Sequence, residues 1–137
     1  MPTAAKSHKT QQWVHGALED ARAQDIAMLD VRKISDFTDF MVIATGTSNR
    51  HVQSTADKIV DMLREHGVRP MGVEGQQIGD WVLIDLGDVV VHVMRAQTRD
   101  FYNLEKLWSD AKRVAFGKHK ETAKTSKSPR KPKTAKK

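Results

Sequence analysis

The chain has 137 residues, no cysteine and a formal net charge of +6. This length predicts one domain with a substantial hydrophobic core, and the lack of cysteine excludes a disulfide framework and a thiolate zinc site. No apolar run is long enough to span a bilayer and the first residues lack an apolar signal core, so we expect a cytoplasmic protein with no membrane partner.

The charge is distributed unevenly along the chain. Residues 112–137 contain eleven Lys and Arg and one acid, which gives +10, whereas residues 1–111 contain twelve basic and sixteen acidic residues, which gives −4. The C-terminal part is rich in Lys, Thr, Ser, Ala and Pro and lacks apolar periodicity, which is typical of disorder. We therefore predict a flexible N-terminus at 1–9, a folded domain at 10–117 and a disordered Lys-rich tail at 118–137.

The folded domain begins with a helical pattern and two strand patterns. Thr10 is a candidate N-cap for a helix that runs to about Ala23. Residues 26–31 predict the first strand. The nearly continuous apolar run at 40–45 predicts a second strand that is covered on both faces.

A second helix is predicted at about residues 50–66. Ser48 or Thr47 can cap its N-terminus, and Gly67 is a natural C′ residue at its end. Apolar residues at helical spacing predict its buried stripe, which comprises Val52, Ala56, Ile59 and Leu63.

The last part of the domain predicts a short edge strand at 68–73, a hairpin at 79–94 and a polar bridge at 95–100. Pro70 cannot donate a hydrogen bond within a sheet, which favours the edge position. A final helix is predicted at about 101–114, because apolar residues recur there at helical spacing. The order α-β-β-α-β-β-β-α predicts a single α/β domain with a mixed β-sheet flanked by helices.

The hairpin contains the sharpest functional signal. Gly87 can adopt the positive φ that its turn requires. Alternation places Trp81, Leu83 and Asp85 on one face of the first strand. The residues on the opposite face are all apolar and predict a core contact: Val82, Ile84 and Leu86.

Trp81 and Leu83 allow two interpretations. They belong to the core if a helix covers their sheet face, because Trp is usually largely buried. Alternatively, they form an exposed aromatic and aliphatic patch beside Asp80 and Asp85. Trp is a typical anchor of protein interfaces, and a border of acids selects a basic partner.

A catalytic alternative is weaker. The Gly46-Thr47-Ser48 turn opens a helix and resembles a phosphate site, and a nucleotidyltransferase would use Ser48 with Asp85. The turn lacks the known phosphate-loop patterns, so a simple helix cap is favoured. Asp85 and Asp88 lie on opposite faces by alternation, so we predict no metal, no cofactor and no catalysis. A lone His92 on a strand is typical of a structural residue.

The basic tail gives a third hypothesis, in which RNA binding is its main function. A charge of +10 over residues 112–137 favours contact with phosphates without sequence preference. Whether the chain forms a homodimer stays open at this stage.

Several motifs together resemble one known family, the ribosomal silencing factors (RsfS, also called Iojap-like). The resemblance covers about residues 10–112. The matching segments are Leu29-Asp30-Val31, Thr38-Asp39-Phe40-Met41-Val42-Ile43-Ala44-Thr45-Gly46-Thr47-Ser48-Asn49-Arg50, Gly72-Val73-Glu74-Gly75, Gly79-Asp80-Trp81-Val82-Leu83-Ile84-Asp85, Val89-Val90-Val91-His92-Val93 and Arg99-Asp100-Phe101-Tyr102-Asn103-Leu104-Glu105-Lys106-Leu107-Trp108.

The resemblance implies a nucleotidyltransferase-like topology without catalytic acids. It implies binding to the large ribosomal subunit through ribosomal protein L-fourteen, a steric block of subunit joining and repression of translation under nutrient limitation. A role in large-subunit maturation is also implied.

The family's binding surface carries over to Trp81 and Leu83, and less firmly to Asp80, Asp85 and Glu74. Leu86 departs from the aromatic residue that relatives often have. The tail lies outside the resemblance, so the resemblance implies nothing about the tail's function.

Overall fold

The structure is a computed structural model that describes residues 4–114. The predicted disordered tail at 118–137 therefore lies outside the described residues. The described part forms four helices and six strands. They are α1 (Ala4–Asp20), β1 (Gln24–Asp30), β2 (Phe40–Gly46), α2 (Asn49–Glu65), β3 (Gly72–Glu74), β4 (Trp81–Asp85), β5 (Val89–Arg95), α3 (Ala96–Tyr102), α4 (Leu104–Leu107) and β6 (Lys112–Arg113).

All six strands form one sheet in the order β3-β4-β5-β2-β1-β6. The central pair β2 and β5 is parallel, and the other pairs are antiparallel. The predicted α/β class with a mixed sheet is therefore confirmed. β3 lies at one edge, as Pro70 predicted, although the strand is shorter than expected and begins only at Gly72.

Helices α1 and α2 cover one face of the sheet. All four residues of the predicted stripe of α2 are fully buried there, and they pack with Val14, Ala17 and Leu18 of α1. Every residue of β2 is buried, which confirms that both faces of this strand are covered.

Local signals set the ends of α2 as predicted. The Ser48 side chain accepts a hydrogen bond from the His51 N–H at 3.0 Å. Gly67 has a φ of +77° directly after the helix C-cap. The imidazole of His51 accepts the Thr47 N–H at Nδ1 and contacts the Ala21 carbonyl at 2.7 Å through Nε2. It thereby ties the start of α2 to the chain after α1.

The opposite face is covered by α3, α4 and the residues that follow them. Leu104, Trp108 and Ala111 pack there on a second buried cluster. The cluster comprises Leu29, Val31, Met41, Ile43 and Met94.

The prediction of one continuous last helix is wrong. The segment at 95–100, expected to be a polar bridge, is already largely helical, and Asn103 interrupts the helix with a φ of +47°. The Asn103 side chain accepts the Lys106 N–H and starts α4, which ends after one turn. Leu107, one of the apolar residues at helical spacing, is the last residue of α4 and is 72% exposed.

The start of the first helix also differs from the prediction. Helix α1 begins at Ala4, within the segment predicted to be flexible, and Thr10 lies inside the helix as a buried residue rather than at its N-cap. The turns before Thr10 carry no apolar residue larger than Ala, so spacing gave no signal for them. Within residues 4–114, no helix is long and apolar enough to cross a membrane.

Candidate functional site

The candidate site lies at the β3 edge of the sheet, on the face opposite to α1 and α2. Trp81, Leu83 and Asp85 alternate along β4 and are all half-buried. The register places Glu74 of β3 directly opposite Leu83, and His92 of β5 on the other side of Leu83. Paired residues in a sheet share a face, so these side chains form one continuous row.

Trp81 is held by two aromatic neighbours. Its indole Nε1–H donates to Nδ1 of His92 at 3.0 Å. The Tyr102 ring lies 4.9 Å from the indole at an angle of 48°. The indole is therefore neither a fully buried core residue nor a freely exposed one, because it is anchored at its polar edge and is not sealed beneath a helix.

Leu83 differs from Trp81 in its packing. It is half-buried, and among the described residues it belongs to neither of the two buried clusters nor to the side chains packed against them. Its remaining surface is exposed among the described residues, on the strand next to the edge strand β3.

The site includes two aromatic residues that the sequence patterns did not assign to it. Phe101 is 80% exposed and Tyr102 is 54% exposed, and their rings touch edge to face with centroids 5.0 Å apart. The last helix was predicted to start at Phe101, whereas in the structure these two residues end α3. Tyr102 lies beside Trp81, and Phe101 contacts Tyr102. We call Trp81, Leu83, Phe101 and Tyr102 the tryptophan face.

His92 is a buried structural residue, as predicted. It is 5% exposed, and burial lowers its pKa from 6.5 to about 4. Because Nδ1 accepts the indole N–H, the neutral ring carries its proton on Nε2. That nitrogen is buried and has no hydrogen-bond partner in the structure.

The three predicted acids occupy different positions. Glu74 is exposed beside Leu83, on the border of the tryptophan face. The Asp85 carboxylate accepts the Gly87 N–H at 2.9 Å and so stabilises the hairpin turn. Asp80 precedes the strand and accepts from the Asn49 side-chain amide at 3.1 Å, which directs it toward the start of α2.

The position of α3 and α4 depends on Arg99, which is only 8% exposed. Its guanidinium donates two hydrogen bonds of 2.9 Å to the Glu105 carboxylate and two more to the Asp25 carbonyl and the Thr45 hydroxyl. Burial opposes ionisation of Glu105, but the hydrogen bonds and charge of Arg99 outweigh it, and the pKa of Glu105 is lowered. This pair joins both helices to β1 and β2 and so fixes Tyr102 beside the sheet.

The structure separates the residues of the catalytic alternative. Asp85 pairs with Val90, which pairs with Met41 near the start of β2, whereas Ser48 follows the end of that strand. At about 3.3 Å per residue, the part of β2 from Met41 to Gly46 alone spans roughly 16 Å, so the strand keeps the two side chains apart. Within the part of the chain that the structure describes, no group of three or more His, Cys, Asp or Glu could hold a metal ion.

Comparison with known proteins gives the family. A family model described as a ribosomal silencing factor during starvation matches residues 4–137. The chain belongs to the RsfS family of ribosomal silencing factors. It is 47% identical over 96 residues to the ribosomal silencing factor of Chromobacterium violaceum, and the match covers 70% of this chain and 79% of that protein.

Other members of the RsfS family agree with this assignment. The ribosomal silencing factor of Bacillus subtilis is 47% identical over 95 residues, covering 69% of this chain and 80% of the relative. A mouse protein named mitochondrial assembly of ribosomal large subunit protein 1 is 36% identical over 95 residues, covering 67% of this chain and 42% of that protein.

Solved structures support the same fold. A crystal structure from Chromobacterium violaceum has a TM-score of 0.73 and 39% sequence identity, and the match covers 84% of this chain and 95% of that chain. A crystal structure from Bacillus halodurans has a TM-score of 0.72 and 38% identity, covering 80% and 99%. Its membership of the RsfS family identifies the chain as a ribosome-associated regulator of translation.

Proposed function

We propose that this protein binds the large ribosomal subunit through ribosomal protein L-fourteen and thereby blocks joining of the small subunit. The block represses translation when nutrients are limiting. Membership of the RsfS family supports the ribosomal target, and the partly open tryptophan face is the single structural observation on which the proposed binding mode rests.

The tryptophan face has the properties of an interface centre. A large aromatic residue, fixed in orientation by His92 and Tyr102, loses little conformational entropy when a partner covers it. Leu83 adds apolar area that the fold leaves without a core contact. Glu74 and Asp85 border this area, and the net charge of −4 over residues 1–111 suits a basic ribosomal protein.

The proposed mechanism is steric and involves no reaction. A protein bound on the subunit surface prevents joining if it occupies the space that the other subunit requires. The separation of Ser48 from Asp85 supports this mechanism over nucleotide transfer. A calorimetric titration with ATP and magnesium that shows saturable binding would instead favour the enzyme.

A second role in maturation of the large subunit follows from one relative. The name of the mouse protein refers to assembly of the ribosomal large subunit. We propose that this protein, bound at L-fourteen, also accompanies late assembly of the large subunit. This second role uses the same binding surface.

The test is co-sedimentation of the full chain with separated ribosomal subunits. We expect the protein to travel with the large subunit and not with the small one. Leu83→Glu should abolish this binding because it places a charge in the desolvated centre. Met71→Glu is the matched control: Met71 is 76% exposed and lies just before β3, outside the tryptophan face. Equal loss in both variants would overturn the proposed site.

The basic tail contributes separately. We propose that residues 118–137 make non-specific contacts with ribosomal RNA through phosphates. Their deletion should cause a modest, salt-sensitive loss of affinity, because each phosphate contact releases counterions. Complete loss of ribosome binding on deletion would favour the hypothesis that RNA binding by the tail is the main function.

A further inference from the structure

A second surface lies on the opposite side of the molecule, between α1 and α2. These helices border an open groove of about 670 Å³. Its lining includes Trp13 and Gly16 of α1, together with Ser54 and Met62 of α2. None of these residues belongs to the tryptophan face.

The floor of the groove is partly apolar and contains an aromatic ring. The ring of Trp13 stacks on His66 with centroids 4.0 Å apart and an interplanar angle of 10°. Beside it, Gly16 occupies the interior of a helix, where it is less favourable than Ala by about 1 kcal/mol. A Cβ at Gly16 would meet no atom within 4 Å, so packing of the described residues does not require glycine there. Its presence leaves space at the surface.

The rim of the groove is acidic. Asp20, Asp57, Asp61 and Glu65 line it, against one cationic side chain, Lys58. All four acids are exposed. Two are partly engaged, because the Asp57 carboxylate accepts from the Gln76 amide at 2.6 Å and Asp61 pairs with Arg64 at 3.3 Å. The groove therefore combines a partly apolar floor with a negative border, which suits a basic, extended segment.

We propose that this groove binds the chain's own Lys-rich C-terminal segment, residues 118–137. The segment contains nine Lys and Arg against the single acid Glu121. The last described residue, Val114, packs against the same buried cluster as α1, so the described chain ends on the face of the sheet that α1 and α2 cover. The proposal does not depend on ribosome binding.

The length of the segment is sufficient for this contact. Twenty-three residues follow Val114, and an extended chain spans at most about 3.5 Å per residue, or roughly 80 Å. Helix α1 has 17 residues and is about 25 Å long. A tethered segment acts at an effective concentration in the millimolar range, so weak exposed ion pairs are enough to keep it bound in the free protein.

The test uses paramagnetic broadening in the full chain. The protein has no cysteine, so Ser128→Cys gives one site for a nitroxide label. We expect broadening of the amides of Gly16, Ser54 and Lys58 and none at Leu83. Broadening spread evenly over the domain, or confined to the tryptophan face, would overturn the proposal.

A triple variant and its matched control test the contribution of charge. Asp20→Asn with Asp61→Asn and Glu65→Gln should lower the ratio of bound to free segment about eightfold, since each exposed ion pair contributes roughly a factor of two. Asp36→Asn with Asp100→Asn and Asp110→Asn removes the same charge outside the groove and should leave the broadening unchanged. Equal effects of the two triple variants would contradict a specific site.

Gly16→Leu keeps every charge but fills the groove, and it should also abolish the broadening. Retained broadening in this variant would show that the segment is attracted by charge without entering the groove.

A mixture of labelled chain and isotope-enriched unlabelled chain shows whether the contact forms within one chain or between two. Broadening that persists in the mixture would assign the groove to a second copy and overturn the intramolecular contact.

Discussion

The indole of Trp81 donates its Nε1–H to Nδ1 of the buried His92 at a distance of 3.0 Å. This bond joins the exposed end of the site to the interior of the sheet, because Trp81 is half-buried on β4 and His92 is 5% exposed on β5. It fixes the orientation of the indole and requires His92 to be neutral. Stability and the proposed binding surface are therefore coupled through one imidazole.

His92 predicts a pH dependence of stability. Its pKa is about 4 in the folded protein and about 6.5 when unfolded, so the unfolded state binds the proton more tightly between these values. The stabilisation is fully present above pH 6.5 and is lost as the pH falls toward 4, amounting to about 3 kcal/mol. Urea unfolding measured from pH 4 to pH 7.5 should show this slope, and His92→Leu should reduce it. An unchanged slope in His92→Leu would contradict a buried neutral imidazole.

Trp81→Phe tests the hydrogen bond directly. The substitution keeps an aromatic ring but leaves Nδ1 of His92 buried without a donor, which should cost about 1–3 kcal/mol in the free energy of unfolding. In a background that already carries His92→Leu, the same substitution should cost less, because no acceptor remains to be left unpaired. Equal costs in both backgrounds would show that the bond contributes nothing measurable.

Arg99 and Arg113 provide a matched pair of variants around Glu105. Arg99→Met removes the buried partner and should destabilise the protein by about 3 kcal/mol, with loss of hydrogen-exchange protection in α3 and α4. Arg113 also approaches Glu105, at 3.5 Å, but its side chain is 65% exposed. Arg113→Met should therefore change stability by less than about 0.5 kcal/mol. Similar effects of the two variants would contradict the structural role of Arg99.

Gly75→Ala should disrupt the entry to β4. Gly75 has a φ of +85°, and an added Cβ would clash with the Trp81 carbonyl oxygen. We expect a loss of about 2 kcal/mol or more from the clash and backbone strain together. Gly72→Ala is the control, since a Cβ there meets no atom within 4 Å. Thermal unfolding compares the two, and a Gly75→Ala variant as stable as Gly72→Ala would refute the close approach.

The sequence predicted the parts of the fold that depend on local pattern. The stripe of α2, its Ser48 cap and Gly67 terminus, and the hairpin at Gly87 each follow from a few neighbouring residues, and the structure confirms them. Alternation likewise placed Trp81 and Leu83 on one face.

The end of the domain could not be predicted because it depends on distant partners. Arg99 lies in a segment that looks polar, and only the folded chain shows that it is buried against Asp25 and Thr45. Asn103 can adopt a positive φ, which interrupts an apolar spacing that otherwise predicts one helix. For the same reason the position of Tyr102 beside Trp81 was not evident from spacing.

Direct titration of ribosomal protein L-fourteen with the full chain tests the central claim most directly. Isothermal calorimetry should show saturable binding with a negative heat-capacity change, because apolar surface is buried. Leu83→Glu should abolish the heat of binding, whereas Met71→Glu should retain it. If wild type gives no heat of binding, or if Leu83→Glu binds as tightly as Met71→Glu, the tryptophan face is not the surface that recognises L-fourteen.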